Sequence, residues 1–320
     1  MRLCIVIINY RTPKLVIDCL ASLENEIESG KDSVIVVDNA SGDDSISQIE
    51  GAIAKNSWDF VQMLPSPVNG GFSAGNNLGI KAVKADAYLL LNSDTIVRPG
   101  AIAFLLQAME SNPEAGLISP RLEWPDGTPQ ISCFRYLSPI SELIKAARTS
   151  LVTKLFETYD VPLPVSDKPI KPQWTSFACV LIRQEVIAQI GLMDEGYFMY
   201  FDDVDYCRKA INAGWQILHC PQARVVHLRG GSSSVKAELA TRKRPKPYYY
   251  ASRTRYFTTF YGSVGLWLAN ICWLIGRSIS LARELIKNKQ PHTCEYEAQD
   301  IWKNWRSPMK PFLLSTKKVS

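Results

Sequence analysis

The chain has 320 residues, 46% hydrophobic and 21% charged, enough to bury a large core and unlike a disordered or low-complexity protein. Its net charge of +5 is unevenly divided: residues 231–320 hold 16 Lys and Arg against 5 Asp and Glu, while residues 1–230 hold 20 against 26. Eight scattered cysteines with no C-x-x-C pair fit a reducing, cytoplasmic compartment, and the apolar run Leu3–Ile8 is too short for a secretory signal.

From the N-terminus, short β-branched runs alternate with segments of helical spacing. Leu3–Ile8, Val34–Val37, Phe60–Leu64 and Tyr88–Leu91 read as buried strands. Pro13–Glu26, Asp44–Lys55 and Ala74–Lys84 carry apolar residues at helical intervals. The alternation predicts an α/β fold, a mostly parallel sheet flanked by helices. Such sheets bind ligands beyond the carboxyl ends of their strands. The residues found there are Asn9-Tyr10, Asp38-Asn39, Asn69-Gly70-Gly71 and Asn92-Ser93-Asp94. Each end alone is an ordinary turn; four polar ends on one edge point to a site.

Pro125–Pro129, with Asp126 and Gly127 between, predicts a turn. Tyr136–Lys171 mixes a helical piece with Pro-rich linkers and reads as a mobile loop region over the site. Beyond it the pattern predicts a strand at Trp174–Ile182, helices at Arg183–Ile190 and Asp202–Ala213, and short strands near Gln216–His219 and Arg224–His227. Helices follow at Tyr248–Tyr261 and Val264–Lys287.

Three places carry residues suited to chemistry. Asp94 lies just past the very apolar Leu89–Leu91, where a carboxylate can hold a divalent cation against a diphosphate; capping a turn is the ordinary alternative. Asp202, Asp203 and Asp205 crowd the start of a helix. That is a favourable place for negative charge, but mutual repulsion there also raises at least one pKa and suits a general base. His227 ends a strand before Arg229 and the Gly- and Ser-rich run 230–234, so it suits either a metal ligand or a hydrogen-bonded structural role. The run itself is a candidate to wrap a diphosphate with its backbone N–H groups. Neither it nor Gly70–Gly75 is a dinucleotide fingerprint, which argues against a nicotinamide enzyme.

The ordered set Ile7-Ile8-Asn9-Tyr10, Val36-Val37-Asp38-Asn39-Ala40-Ser41, Asn69–Asn77, Leu91-Asn92-Ser93-Asp94-Thr95, Phe198–Asp205 and Val226-His227 resembles the family 2 glycosyltransferases of the GT-A (nucleotide-diphospho-sugar transferase) fold. More narrowly, it is similar to the rhamnosyltransferase-like branch that builds bacterial cell-surface polysaccharide. The resemblance spans about residues 3–262. It implies a catalytic domain over 1–247, with a donor half at about 1–120 and an acceptor half at about 121–247, and a basic, aromatic-rich C-terminal helical region over 248–320. It implies that Asp38, Asn9 and Tyr10 bind the nucleoside, and that Asn69, Gly70, Asn77, Asn92 and Ser93 lie along the donor. Asp94 and His227 then hold Mg²⁺ or Mn²⁺. Asp203 matches the catalytic base and Asp202 stands where the family usually has Glu, on the acceptor side with Trp174 and Phe177.

The reaction so implied is inverting transfer of a sugar, L-rhamnose from dTDP-rhamnose first, to a hydroxyl of a glycan or lipid-linked (polyprenyl) glycan. UDP-linked galactofuranose, glucose or N-acetylhexosamine is the alternative donor, and a catalytically inactive nucleotide-sugar-binding protein the alternative class. Three departures stand out: Asn92 replaces the first acid of D-x-D, Ser93 replaces a frequent Pro, and Phe177 replaces a Gly beside the expected acceptor pocket.

Between Arg255 and Arg277 lie 21 residues without formal charge. Aromatics crowd this stretch and cations flank it, Arg242–Lys246 on one side and Arg277, Arg283, Lys287 and Lys289 on the other. The pattern predicts in-plane attachment to an anionic inner membrane face, suited to a lipid-linked acceptor, rather than nucleic-acid binding. A helix pair packed on the catalytic domain or on a second copy, as a homodimer, is the alternative.

Overall fold

The computed structural model describes residues 1–28, 30–228, 235–287 and 291–312. In chain order its elements are β1 (Leu3–Asn9), α1 (Pro13–Leu23), β2 (Ser33–Asp38), α2 (Ser45–Asn56), β3 (Val61–Pro65), α3 (Gly71–Ala82), β4 (Ala87–Asn92), β5 (Thr95–Val97), α4 (Ala101–Ser111) and β6 (Ala115–Glu123). There follow β7 (Cys133–Phe134), α5 (Pro139–Ala147), α6 (Ser150–Leu155), β8 (Trp174–Thr175), β9 (Cys179–Arg183), α7 (Gln184–Ile190), α8 (Asp202–Asn212) and β10 (Gln216–His227). The last are α9 (Val235–Thr241), α10 (Pro247–Lys287) and α11 (Glu297–Asp300).

Eight strands form the main sheet in the order β3-β2-β1-β4-β9-β6-β10-β5. All neighbours are parallel except where β9 meets β4 and β6 and where β5 meets β10. The expected α/β architecture is therefore present, with β9 and β5 reversed within it.

The β-branched strands alternate between two cores, as the two-residue period requires. From β1, Leu3, Ile5 and Ile7 face α1, α2 and α4, while Cys4 and Val6 face α3, α7 and α8. Each fully buried Leu, Ile or Val contributes about 1.5–3 kcal/mol. The chain runs outward from β1 through β2 to β3, then returns to place β4 on the other side of β1. That reversal makes a switch point between β1 and β4. Register brings the strand ends together, Asn9 beside Asp38, Ile8 beside Asn92 and Asp38 beside Pro65.

Three expectations change. Residues 136–171 hold more helix than the single piece expected: α5, α6 and a 3₁₀ turn at Glu157–Tyr159. Ser138 caps α5 in a reciprocal pair with Ser141, and Pro139 starts it with the helical φ already set. Trp174–Ile182 divides into β8, which pairs with β7 in a separate small sheet, and β9. The two short strands near 216 and 224 are one strand, β10, with an irregularity between Cys220 and Arg224.

The helices expected at 248–261 and 264–287 adjoin as α10, broken at Gly262 (φ 67°, ψ −177°), a backbone that L-residues other than glycine rarely adopt. By length and composition Pro247–Ile286 is long and apolar enough to cross a membrane. One of its sides is packed into the protein: Arg253, buried, donates to Glu142 of α5 (3.0 Å) and to Asn270 (2.7 Å).

Candidate active site at the switch point

The site begins with the amide of Asn9 at the end of β1. It donates to Asp38 Oδ1 (2.7 Å) and to Ser41 Oγ (3.1 Å), and its Oδ1 accepts from the Thr12 N–H (3.1 Å). Asp38 also accepts from the Ser41 hydroxyl (2.6 Å) and N–H (3.0 Å). Asn9, Asp38 and Ser41 are all buried, so this network fixes two strand ends as one unit. Tyr10 projects outward beside the Arg11 guanidinium, 5.3 Å from its ring centroid. Arg11 and Ala40, each two residues past a strand end, are left-handed and turn the chain away from the edge.

The third strand end joins through Asn39. Its amide donates to Asn69 Oδ1 (3.0 Å) and to the Gly71 carbonyl (3.0 Å), and the Gly71 N–H donates back to Asn69 (3.0 Å). Asn69 and Gly70 are half-buried along this edge. Gly71 (φ 85°) is required here: a Cβ would lie 2.0 Å from the Phe198 carbonyl. That contact lets the Phe72 N–H donate to Phe198 (2.7 Å), tying the start of α3 to the loop before α8. Asn77 differs from its expected placement along the donor. It is buried, and its amide is taken up by Met193 O (2.8 Å), Glu195 Oε1 (2.9 Å) and the Met193 N–H (3.0 Å), so it braces the same loop instead.

The fourth strand end leads into β5. Ser93 lies 3.4 Å from the Thr12 hydroxyl, which donates to Asn9, so Asn92, Ser93 and Asp94 share the frame of Asn9 and Asp38. Because Thr95 pairs with His227, Asp94 Oδ1 sits 3.5 Å from His227 Nε2, both side chains buried. Gln130 donates to the His227 carbonyl (2.7 Å) and fixes that strand end. His227 Nδ1 is buried and has no hydrogen-bond partner among the described residues. A carboxylate oxygen and an imidazole nitrogen at this separation fit two adjacent ligands of one divalent cation, whose bonds to such atoms are about 2.0–2.2 Å. No set of three or more His, Cys, Asp or Glu ligands occurs among the described residues, so the remaining positions would fall to oxygens of a diphosphate and water. Arg229 and residues 230–234, expected to wrap the diphosphate, lie outside the described residues.

The acids of α8 follow residues 197–201, a segment tied to the start of α3 through the Phe198 carbonyl. Tyr200 (φ 67°) and Phe201 (φ 64°) are consecutive left-handed aromatic residues, a conformation that costs about 1–3 kcal/mol each and persists only where the surroundings impose it. The first part of α10 imposes it. Ser252 donates to the Met199 carbonyl (3.0 Å), Arg255 pairs with Asp194 (2.8 Å), and Phe201 packs on Tyr249 and Tyr256.

Of the three acids, Asp203 is the half-exposed one; its Oδ1 accepts from the Val204 N–H (2.9 Å). Asp202 is buried, and burial, with Asp203 beside it, raises its pKa well above the usual carboxylate range. Asp205 is raised by burial but held in check by Lys209 (2.6 Å), and it accepts from the Tyr197 hydroxyl (3.1 Å). The expectation that crowding would raise at least one pKa is met, with desolvation the larger cause.

Trp174, expected on the acceptor side, stacks on Phe134 (centroids 4.1 Å, 19°) and donates to the Arg135 carbonyl (2.7 Å), and the residue is half-buried. Phe177 departs from expectation. It is 3% exposed and packs edge-on against Tyr206 in the core between sheet and α8, so it offers no face to a sugar.

Ser41, Gln130 and the brace from α10 were not singled out from sequence. Ser41 falls in the run Val36–Ser41 that carries the family resemblance, whereas nothing local marks Gln130.

The model of the family described as "Glycosyltransferase like family 2" matches residues 2–244. An N-acetylglucosaminyl-diphospho-decaprenol L-rhamnosyltransferase of Mycobacterium tuberculosis is 26% identical over 272 residues, covering 79% of this chain and 83% of its own. The low-salt glycan biosynthesis hexosyltransferase Agl10 of Haloferax volcanii is 26% identical over 230 residues, covering 70% and 66%. Among solved structures, GalNAc-T7 with UDP, GalNAc and Mn²⁺ superposes with a TM-score of 0.59 at 13% identity, over 95% of this chain and 58% of that one. That likeness is one of fold, the GT-A fold.

Proposed function

The chain belongs to glycosyltransferase family 2 and is a hexosyltransferase, and we propose that it transfers L-rhamnose, with inversion, from dTDP-rhamnose to a hydroxyl of a lipid-linked glycan. The observation that carries the reading is the buried Asp94–His227 pair, with Asp94 just past the end of β4 at the switch point and its Oδ1 3.5 Å from His227 Nε2. The name of the M. tuberculosis relative supports rhamnose as the sugar and a polyprenyl diphosphate-linked acceptor. A UDP-linked sugar is the second reading, favoured by the UDP in the GalNAc-T7 structure.

Asp38, with Asn9 and the backbone at Tyr10, forms the nucleoside end of the pocket, and Asn69, Gly70, Asn92 and Ser93 line the way to the diphosphate. Asp94 and His227 would hold Mg²⁺ or Mn²⁺, and the Mn²⁺ in the GalNAc-T7 structure favours such an ion. When bound, the cation supplies charge neutralisation to the departing diphosphate. Asp203 takes the proton of the acceptor hydroxyl as its oxygen attacks the anomeric carbon and the bond to the diphosphate breaks. Burial raises the pKa of Asp202 and so disfavours a second negative charge beside that base. The exposed part of the Trp174 ring is a stacking face for the acceptor sugar.

The distal part of α10 supports a position on an anionic inner membrane face. Its outer side, from Val264 through Leu268, Ile271, Ile275 and Ile279 to Ile286, is exposed and uncharged, while its inner side is packed into the protein. One-sided burial favours lying in the interface over spanning it.

Asp203→Asn tests the assignment of the base. Transfer should fall by at least about a hundredfold while nucleoside-diphosphate binding stays within about twofold of wild type. Retained transfer moves the base to another residue.

A further inference from the structure

A cavity of about 510 Å³ lies between α5, α6, the distal part of α10 and the segment around His292–Glu297. Lys145, Arg148 and Ser150, all exposed, stand at its mouth with Thr149, and the buried Ile144 and Trp273 form its floor. The Lys145 ammonium is 5.8 Å from the ring centroid of Tyr249, which packs on Phe201 (5.6 Å), so one aromatic layer lies between the cavity and the segment that leads into α8. Two buried acids act on Lys145: Glu297, 3.7 Å from it, and Glu142, which is paired with Arg253. Arg283 reaches in from α10 to donate to the Arg148 carbonyl.

Arg148 is the unexpected residue. It ends α5 in the left-handed conformation (φ 46°, ψ 48°), a position that glycine or asparagine fills at least cost. An arginine held there gives up backbone ease and gains a guanidinium at the mouth, a group whose planar donors match phosphate oxygens. The surroundings limit what such a phosphate can belong to. The neighbouring α6 exposes Leu151 (78%) and Leu155 (72%), and the outer side of distal α10 is uncharged and apolar. A cationic, hydroxyl-bearing mouth over an apolar floor, bordered by apolar surface, fits a phosphate carried on a lipid better than one free in water.

We propose that this cavity receives the phosphate headgroup of an anionic membrane lipid, bound by Arg148 and Lys145 with the hydroxyls of Thr149 and Ser150. The proposal rests on the membrane-surface reading of α10 and adds a built site to it. Such a site would orient the domain on the bilayer rather than merely attract it.

The test uses the full chain, co-sedimented with phosphatidylcholine vesicles with and without phosphatidylglycerol. Arg148→Gly suits the left-handed backbone and should keep the fold and thermal midpoint. Diffuse attraction to an anionic surface weakens about fivefold for each cation removed, wherever it lies. A built site instead predicts a loss of about twentyfold or more for Arg148→Gly on phosphatidylglycerol vesicles, no change on phosphatidylcholine alone, and at most about fivefold for the control Lys154→Gln. Equal losses for the two variants, or none for Arg148→Gly, overturn the site. Inorganic phosphate that raises the thermal midpoint of wild type but not of Arg148→Gly, with no vesicle selectivity, overturns the lipid in favour of free phosphate. Wild type that sediments with neither vesicle defeats the surface reading itself, while leaving the transferase reading to the donor-binding experiments.

Discussion

Asp202, Asp203 and Asp205 are spaced within one turn of helix, yet their environments separate their roles. Asp205 is paired with Lys209 and accepts from the Tyr197 hydroxyl, Asp203 is half-exposed, and Asp202 is buried beside it. A carboxyl whose pKa is raised on folding penalises the native state once pH passes the ordinary carboxylate range, and the penalty is complete above the raised value. Asp202→Asn should therefore raise stability more at pH 8 than at pH 4, measured by urea unfolding at both. An equal change at the two pH values contradicts the burial argument. The crowding of these acids was legible in the sequence, as was the convergence of Asn9, Asp38, Asn69 and Asp94, because strand ends of a parallel sheet must share an edge. The fates of Asn77 and Phe177 were not, since a motif fixes which residue stands at a position and not which way its side chain turns. Asn77 turned to the 193–195 segment and Phe177 to the core against Tyr206.

Among elements, those with a clean two-residue or helical period were readable and those shaped by tertiary partners were not. β1, β2 and β4 fall within one or two residues of their sequence-based ranges. β8 and β9 read as one strand because no Gly or Pro interrupts Trp174–Ile182, and only pairing with β7 on one side and β4 on the other divides it. The helical character of α5 was partly visible, but its docking depends on Arg253, over a hundred residues away. The Glu142–Arg253 pair is almost fully buried, with side chains 2% and 1% exposed. Glu142→Gln leaves a guanidinium buried without its counter-charge and should cost about 3–5 kcal/mol in urea unfolding. Pairing it with Arg253→Met should recover most of that loss. A cost under about 1 kcal/mol for the single variant would mean that α5 is not anchored through this pair.

At the scale of the molecule, the acidic N-terminal part forms the sheet and its switch-point candidate site, and the basic end supplies both the brace for the segment before α8 and an uncharged outer face. Changing Leu268, Ile275, Ile279 and Ile286 together to Ser should lower vesicle co-sedimentation at least about tenfold without moving the thermal midpoint. A dimer-to-monomer change in sedimentation equilibrium, with vesicle binding intact, would show that a second copy covers this face. The central claim, metal-assisted transfer from a nucleotide sugar, is tested most directly by calorimetric titration of dTDP and UDP with and without Mn²⁺, on wild type, Asp94→Asn and Asp203→Asn. The account predicts binding that Mn²⁺ strengthens at least about tenfold in wild type and Asp203→Asn but not in Asp94→Asn. Binding indifferent to Mn²⁺, or no binding of either nucleotide, would contradict it.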